Sequence, residues 1–251
     1  MKKISLALCL ASALFANSAS AQWQGNWLLG VSGSYNWYDN GDFEGNISHP
    51  TGRVTNFGWL TDDDNEDDRW AWGVFGGYQA RCNGWLFGAE LAIDWIDNDD
   101  QDNNNFVFTD ANAPNRGWVG NAGFSRDYAI ALTGRFGYEV FPFFMPYVRA
   151  GVETSRDKIS FGLLTADNAQ PFLIASGDGR RQSYCFIGGF GAEVPLPLAD
   201  GLAFRAEWNY HSDGRTVDAS GLANDNATLV TVSNQQSVNT VKASLVFNFP
   251  T

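Results

Sequence analysis

Eight segments of the chain alternate between large apolar side chains and small or polar ones, and this alternation constrains the fold more than any other feature. A period of two residues is typical of a β-strand whose two faces meet different surroundings. The composition agrees, because 27 glycines and 10 tryptophans suit many short strands with aromatic ends better than a helical core. The eight segments are residues 27–38, 70–80, 85–95, 127–138, 146–154, 183–194, 202–211 and 238–249.

The connections between these segments alternate in length. Short connections cover residues 81–84, 139–144 and 195–201, whereas long polar ones cover residues 39–69, 96–126, 155–182 and 212–236. Tight turns at one end and long loops at the other are typical of antiparallel outer-membrane barrels, with the turns in the periplasm and the loops outside the cell. Neither an internal repeat nor an interdomain linker interrupts the pattern. The sequence therefore predicts an all-β domain that closes as an eight-stranded antiparallel transmembrane β-barrel, with short periplasmic turns and four long extracellular loops.

The first 21 residues have the layout of a secretory signal peptide. Lys2 and Lys3 precede an apolar run over residues 4–15, and residues 19–21 read Ala-Ser-Ala, an A-x-A cleavage site. The run is too short for a transmembrane helix, which needs roughly 20 residues. We predict cleavage after Ala21, which leaves residues 22–251 as one barrel domain in the bacterial outer membrane. A soluble exported barrel is the alternative, since no apolar stretch of helix length follows.

The volume of the two faces indicates which one points outward. An eight-stranded barrel has an interior just wide enough for its own side chains, and most of the large aliphatic and aromatic groups share one face. They would not fit inside, so we assign this face to lipid. Aromatic residues also gather at both ends of the strands, as expected for two membrane interfaces. The predicted aromatic girdle comprises Trp27, Trp37, Trp70, Trp72, Trp85, Trp95, Tyr128, Tyr138, Tyr184 and Tyr210.

Charged residues occur among the small residues of the opposite face. Buried charges are tolerated when they are paired and hydrogen-bonded, so we expect salt bridges across the lumen. Glu193 and Arg205 flank one short turn, and Glu90 and Arg135 lie on consecutive strands. The network can plug the barrel, or it can line a polar conduit for a solute. Its predicted members are Glu90, Arg135, Arg149, Glu193, Arg205, Glu207 and Lys242.

Several stretches resemble the small outer-membrane barrels of the OmpA-transmembrane and opacity-porin type. Residues 132–138 (LTGRFGY), 146–152 (PYVRAGV), 188–193 (GGFGAE) and 204–210 (FRAEWNY) carry the likeness, and residues 241–249 (VKASLVFNF) are similar to the aromatic-ended final strand. The resemblance covers the mature chain and implies contact with outer-membrane lipid and lipopolysaccharide. It also implies that the final strand is presented to the assembly machinery, although Pro250 and Thr251 follow the terminal aromatic here.

Residues suited to catalysis or metal binding are scarce. The two histidines, His49 and His211, fall on the long-loop side, where we expect solvated side chains. Ser212 and Asp213 follow His211 and supply the residue types of a Ser-His-Asp triad. Residues that are neighbours in the sequence rarely form such a triad. Cys82 and Cys185 are placed at opposite ends of the barrel, so we expect no disulfide between them. We therefore predict no catalytic residue, cofactor or metal, and the net charge of −12 argues against a nucleic-acid partner.

The long loops hold most of the 28 acidic residues, with dense runs over residues 61–68 and 97–103. These carboxylates could bind Ca²⁺ weakly, but the second run lacks the glycine and the final glutamate of an EF-hand loop. A solvated polar loop is the alternative.

Three functions are compatible with this sequence. The first is a structural barrel that stabilises the outer membrane and makes surface contacts with an extracellular ligand that the sequence does not identify. The second is a narrow channel for small solutes, which the barrel size disfavours. The third is an enzyme with its site at the barrel rim, which the scarcity of catalytic residues disfavours.

Overall fold

The computed structural model describes residues 23–39, 43–50, 54–58, 67–97, 104–109, 117–165 and 174–250. The predicted signal peptide lies outside these residues, so its cleavage after Ala21 stays a prediction. The described part contains no helix that is long and apolar enough to cross a membrane. The strands are β1 (Gln24–Asp39), β2 (Glu44–Ser48), β3 (Val54–Gly58), β4 (Asp67–Cys82), β5 (Trp85–Ile96), β6 (Asn104–Thr109), β7 (Gly117–Tyr138), β8 (Met145–Thr165), β9 (Ile174–Pro195), β10 (Leu202–His211), β11 (Val217–Leu222), β12 (Leu229–Asn234) and β13 (Ser237–Pro250).

Eight long strands close into one antiparallel ring, as the sequence predicts. Its order is β1, β4, β5, β7, β8, β9, β10 and β13, and pairing of β13 with β1 completes the circle. The β4–β5 connection is a two-residue turn in which Asn83 and Gly84 have φ angles of 51° and 82°. Asn-Gly is the pair that favours this left-handed turn, because its twist matches the twist of the strands.

The two faces of the ring differ as the alternation indicates. On β1, Leu29 is 57% exposed whereas its neighbour Leu28 is 3% exposed, and the same contrast runs along the other ring strands. The exposed set is large and apolar, so it matches lipid. The buried set is small, polar or charged, with one apolar layer made by Leu28, Phe75, Ala92, Ala131 and Val246.

The ten predicted girdle residues point away from the lumen. At the short-turn end, the rings of Trp27 and Tyr78 lie 5.2 Å apart, and those of Trp85 and Tyr138 lie 4.8 Å apart. At the other end, Trp72 stacks on Trp95 at 4.5 Å. These cross-strand contacts place amphipathic rings at two levels, which is the arrangement that two membrane interfaces favour.

In the described residues, the long connections contain strands of their own in addition to the eight that the sequence predicts. β7, β8 and β9 continue well past the girdle, β6 pairs with β7, and β2, β3, β11 and β12 form a separate four-stranded sheet. The physical reason is that these shorter strands also alternate between apolar and polar residues, although their apolar side chains are smaller than those of the ring strands. Val217 and Ala219 on β11, and Val230 and Val232 on β12, are almost fully buried while their neighbours on each strand are polar or exposed.

The four-stranded sheet packs on the extension of β7, β8 and β9 and encloses an apolar core outside the lipid region. We call this two-sheet structure the exterior domain. Within it, β11 lies so close to β9 that a Cβ on Gly179 would stand 2.0 Å from the carbonyl oxygen of Asp218. The core consists of Tyr38, Phe43, Ile47, Trp118, Ala122, Phe124, Ile159, Phe161, Leu163, Ala175, Val217, Ala219, Ala223, Val230, Val232 and Val238.

Gly179→Ala is expected to destabilise the exterior domain by about 1–3 kcal/mol, because the added methyl group must push β11 away from β9. Gly33→Ala is the matched control, since a Cβ at Gly33 meets nothing within 4 Å. The readouts are the free energy of unfolding and the rate of proteolysis near residues 212–216 in the refolded protein. Equal behaviour of the two variants would mean that the close contact between β9 and β11 does not form.

Candidate functional site: the charged lumen

The seven residues predicted for the lumen network all lie inside the ring, each with at most 7% of its surface exposed. They come from six of the eight ring strands, namely β5, β7, β8, β9, β10 and β13. Because every second residue of a ring strand faces inward, charges distant in the sequence meet across the lumen.

Two arginines and two glutamates form a closed cluster near the periplasmic end. Glu90 Oε1 accepts hydrogen bonds from Arg135 Nη1 at 2.8 Å and from Arg205 Nη1 at 2.7 Å. Glu193 Oε2 accepts from Arg205 Nε at 2.8 Å and from Arg135 Nη2 at 3.3 Å. Glu193 Oε1 also accepts from Arg81 Nη2 at 3.3 Å. Each charge therefore touches at least two opposite charges, which is the condition under which buried ions are tolerated. We call these four residues the charge cluster.

The remaining charges pair separately. Arg149 Nη1 donates to Glu207 Oε2 at 2.7 Å, and the Tyr147 hydroxyl donates to the other oxygen of Glu207 at 2.6 Å. Lys242 donates to both oxygens of Asp94, at 2.9 and 2.7 Å. The sequence analysis did not include Asp94 in the network, although it faces inward in the alternation of β5.

Sequence reasoning missed several other inward polar groups. Gln79, Asp94 and Glu153 could have been found, because they occupy inward positions of predicted strands. Arg69, Arg126 and Asp157 could not, because they fall in segments taken as loops. Arg126 donates to both oxygens of Asp157 at 2.8 and 3.2 Å, and Arg69 Nη2 donates to the carbonyl of Phe124 at 2.7 Å.

Two cavities lie on either side of the charge cluster. An open cavity of about 740 Å³ lies at the short-turn end of the ring. Its lining includes Trp23, Arg81, Glu193 and Asn248. Farther in, a cavity of about 30 Å³ lies among Asn36, Arg126, Arg149, Glu153 and His211, among others. The inner cavity has room for about two water molecules.

His211 is not a solvated rim histidine, and that expectation is wrong. Only 12% of its side chain is exposed, and its Nδ1 lies 3.0 Å from Glu153 Oε2. β10 carries it inward at its last residue, because the exterior domain covers the strand end that the sequence analysis left open to solvent. The neighbouring Ser212 hydroxyl oxygen accepts from the amide of Phe186 at 3.0 Å, so it is engaged away from the imidazole.

A closed ring with a lipid-facing apolar surface, two aromatic levels and a charged lumen defines an integral outer-membrane barrel. The chain belongs to the outer membrane protein beta-barrel domain family, which it matches over residues 6–249. It therefore resides in the bacterial outer membrane.

Comparison with solved structures adds three similar barrels. Neisserial surface protein A is 10% identical, with 89% of this chain and 97% of that chain covered and a TM-score of 0.37. OprG from Pseudomonas aeruginosa is 13% identical over 89% and 97%, with a TM-score of 0.43. The attachment invasion locus protein Ail of Yersinia pestis is 11% identical over 87% and 99%, with a TM-score of 0.33. The comparison with curated proteins gave no match.

Proposed function

We propose that this barrel is a structural element of the outer membrane that presents a rigid exterior surface for contacts, and that it is not an open channel. The exterior domain is the observation that carries this proposal. It has its own apolar core, which includes Phe43, Ile159 and Val232 at no measurable exposure. A fixed surface loses less conformational entropy on binding than a mobile loop does.

The tip of the exterior domain exposes apolar side chains in cross-strand pairs. Leu164 lies opposite Ile174 on β8 and β9, and Leu222 lies opposite Leu229 on β11 and β12. Their exposed fractions range from 39% to 58%. Ile174 is ten residues along β9 from the girdle residue Tyr184, or roughly 25 Å beyond it for a tilted strand. These pairs are therefore too far from the lipid to be explained by it, and exposed apolar patches of this kind are typical of contact surfaces.

The charge cluster opposes conduction through the ring. Water-filled porins use roughly 16–18 strands, whereas eight strands leave an interior that side chains fill. Here the guanidinium groups of Arg135 and Arg205 span the lumen to Glu90 and Glu193. A narrow channel would need these four ions to separate, and each would then lose its buried partner.

The proposal is tested by conductance and by surface contact in parallel. Purified protein in a planar bilayer should give small, rare or no current steps. Cells that produce Ile174→Ser/Leu222→Ser should adhere less to protein-coated surfaces than cells with the natural chain, whereas Asp178→Ser, also exposed on β9, should leave adhesion unchanged. A large steady conductance would support the channel instead, and unchanged adhesion of the double variant would overturn the contact role of the tip.

A further inference from the structure

Three potential metal ligands converge inside the barrel near its outer end. Glu153 on β8, Cys185 on β9 and His211 on β10 sit on three consecutive strands and face inward. Glu153 lies directly opposite Cys185, and His211 lies opposite Ile187, two residues farther along the same strand. Their ligand atoms all lie within 4.8 Å of one another. From this geometry we propose that Glu153, Cys185 and His211 form a binding site for a divalent transition-metal ion, Zn²⁺ foremost.

The hydrogen bonds around His211 prepare one ring nitrogen for coordination. The Asn36 Nδ2 group donates to the carbonyl of Arg69 at 3.1 Å, which fixes the orientation of the amide. Asn36 Oδ1 then accepts the hydroxyl proton of Thr240 at 2.7 Å. Thr240 Oγ1 lies 3.3 Å from His211 Nε2 and has only lone pairs left to offer. Nε2 must therefore donate, and this leaves Nδ1 as the nitrogen with a free lone pair.

The Nδ1 atom of His211 faces a carboxylate and not a hydrogen-bond donor. His211 Nδ1 lies 3.0 Å from Glu153 Oε2, yet it makes no hydrogen bond within the described part of the chain. Two lone-pair donors at this distance repel each other unless a proton or a metal ion lies between them. The Cys185 sulfur stands 3.7 Å from the other oxygen, Glu153 Oε1. An imidazole nitrogen, a thiolate and a carboxylate form a ligand set that suits Zn²⁺.

The nearby cations make their shortest contacts with other carboxylates and not with Glu153. Arg126 Nη1 is 3.8 Å from Glu153 Oε1, but Arg126 donates its two short hydrogen bonds to Asp157. Lys242 is likewise held by both oxygens of Asp94. The inner cavity of about 30 Å³ adjoins Glu153 and His211, so a water molecule has room to complete a tetrahedral site.

The charge balance also favours a dication. A neutral imidazole, a carboxylate and a thiolate together carry two negative charges, so one Zn²⁺ bound by all three leaves the buried site with no net charge. A metal ion bound here would join three ring strands at the level where the barrel meets the exterior domain.

Cobalt titration of the refolded, untagged and reduced protein tests this site. Co²⁺ bound to a thiolate gives a near-ultraviolet charge-transfer band, which carboxylate loops cannot produce. We expect the band to saturate at one equivalent of Co²⁺ and to disappear when Zn²⁺ is added. Cys82→Ser should keep it, because Cys82 is free and lies at the β4–β5 turn, whereas Cys185→Ser should lose it.

Two further variants separate coordination from a purely structural role. His211→Gln should lower the Co²⁺ affinity at least as much as Thr240→Val, which removes the group that orients the imidazole and should weaken binding by about 10- to 100-fold. Folding of each variant is checked by its heat-modifiable mobility. The absence of a thiolate band in the folded natural chain would overturn the proposal, as would a band of equal strength in Cys185→Ser.

Discussion

Glu90→Gln is expected to lower the free energy of unfolding by about 3–5 kcal/mol, the usual cost of removing one partner from a buried ion pair. Glu90 is 3% exposed and its Oε1 bridges Arg135 and Arg205. The amide removes a negative charge that two buried guanidinium groups share, so both lose part of their compensation. Unfolding in urea from lipid vesicles provides the measurement.

Glu139→Gln is the matched control for this change. Glu139 also pairs with an arginine, but its Oε2 lies 3.9 Å from Arg81 and its side chain is 35% exposed. An exposed pair of this kind contributes about 1 kcal/mol or less. We expect Glu90→Gln also to raise the bilayer conductance, because the charge cluster loosens. If both variants unfolded at the same urea concentration, the charge cluster could not be the main closure of the lumen.

Leu91→Arg is expected to cost roughly 2–4 kcal/mol, which is the penalty for an arginine on the lipid face near the bilayer midplane. Leu91 lies near the middle of β5, is 53% exposed and has Gly76 and Leu132 as its cross-strand neighbours. Since its surroundings are lipid tails, the guanidinium would lose hydration without gaining a partner.

Leu91→Met controls for the change of shape, because an apolar exchange of similar volume usually costs less than about 1.5 kcal/mol. The comparison uses the same refolding titration in vesicles. A Leu91→Arg variant as stable as Leu91→Met would place Leu91 in water and would contradict the outward assignment of its face.

The sequence by itself determined the eight ring strands and which face of each strand points outward. A strand places successive side chains on opposite faces, so the alternation of Leu28 and Leu29, or of Leu91 and Ala92, reports which face each residue occupies. Lipid accepts large apolar groups and a narrow lumen does not. These two constraints act on each strand separately, and for this reason no knowledge of the strand pairing was needed to predict them.

Most pairings inside the lumen were decided by the tertiary structure. The sequence analysis singled out Glu193 with Arg205 and Glu90 with Arg135, and both pairs form, but it left the partners of the other inward charges open. The stagger of the closed ring places Arg205 beside Glu90, 115 positions away in the chain. It also places Lys242 beside Asp94. Which charges meet depends on strand tilt and shear, and neither can be read from the alternation within one strand.

The exterior domain and the three-ligand site also depended on the tertiary structure. β12 pairs with β2 across most of the chain length, and such short strands become stable only when a second sheet covers their apolar face. Without that covering, His211 would lie at an open rim and Cys185 would be one more small inward residue. The sequence places each of these side chains on the inner face, but only the assembled exterior domain buries His211 beside Glu153.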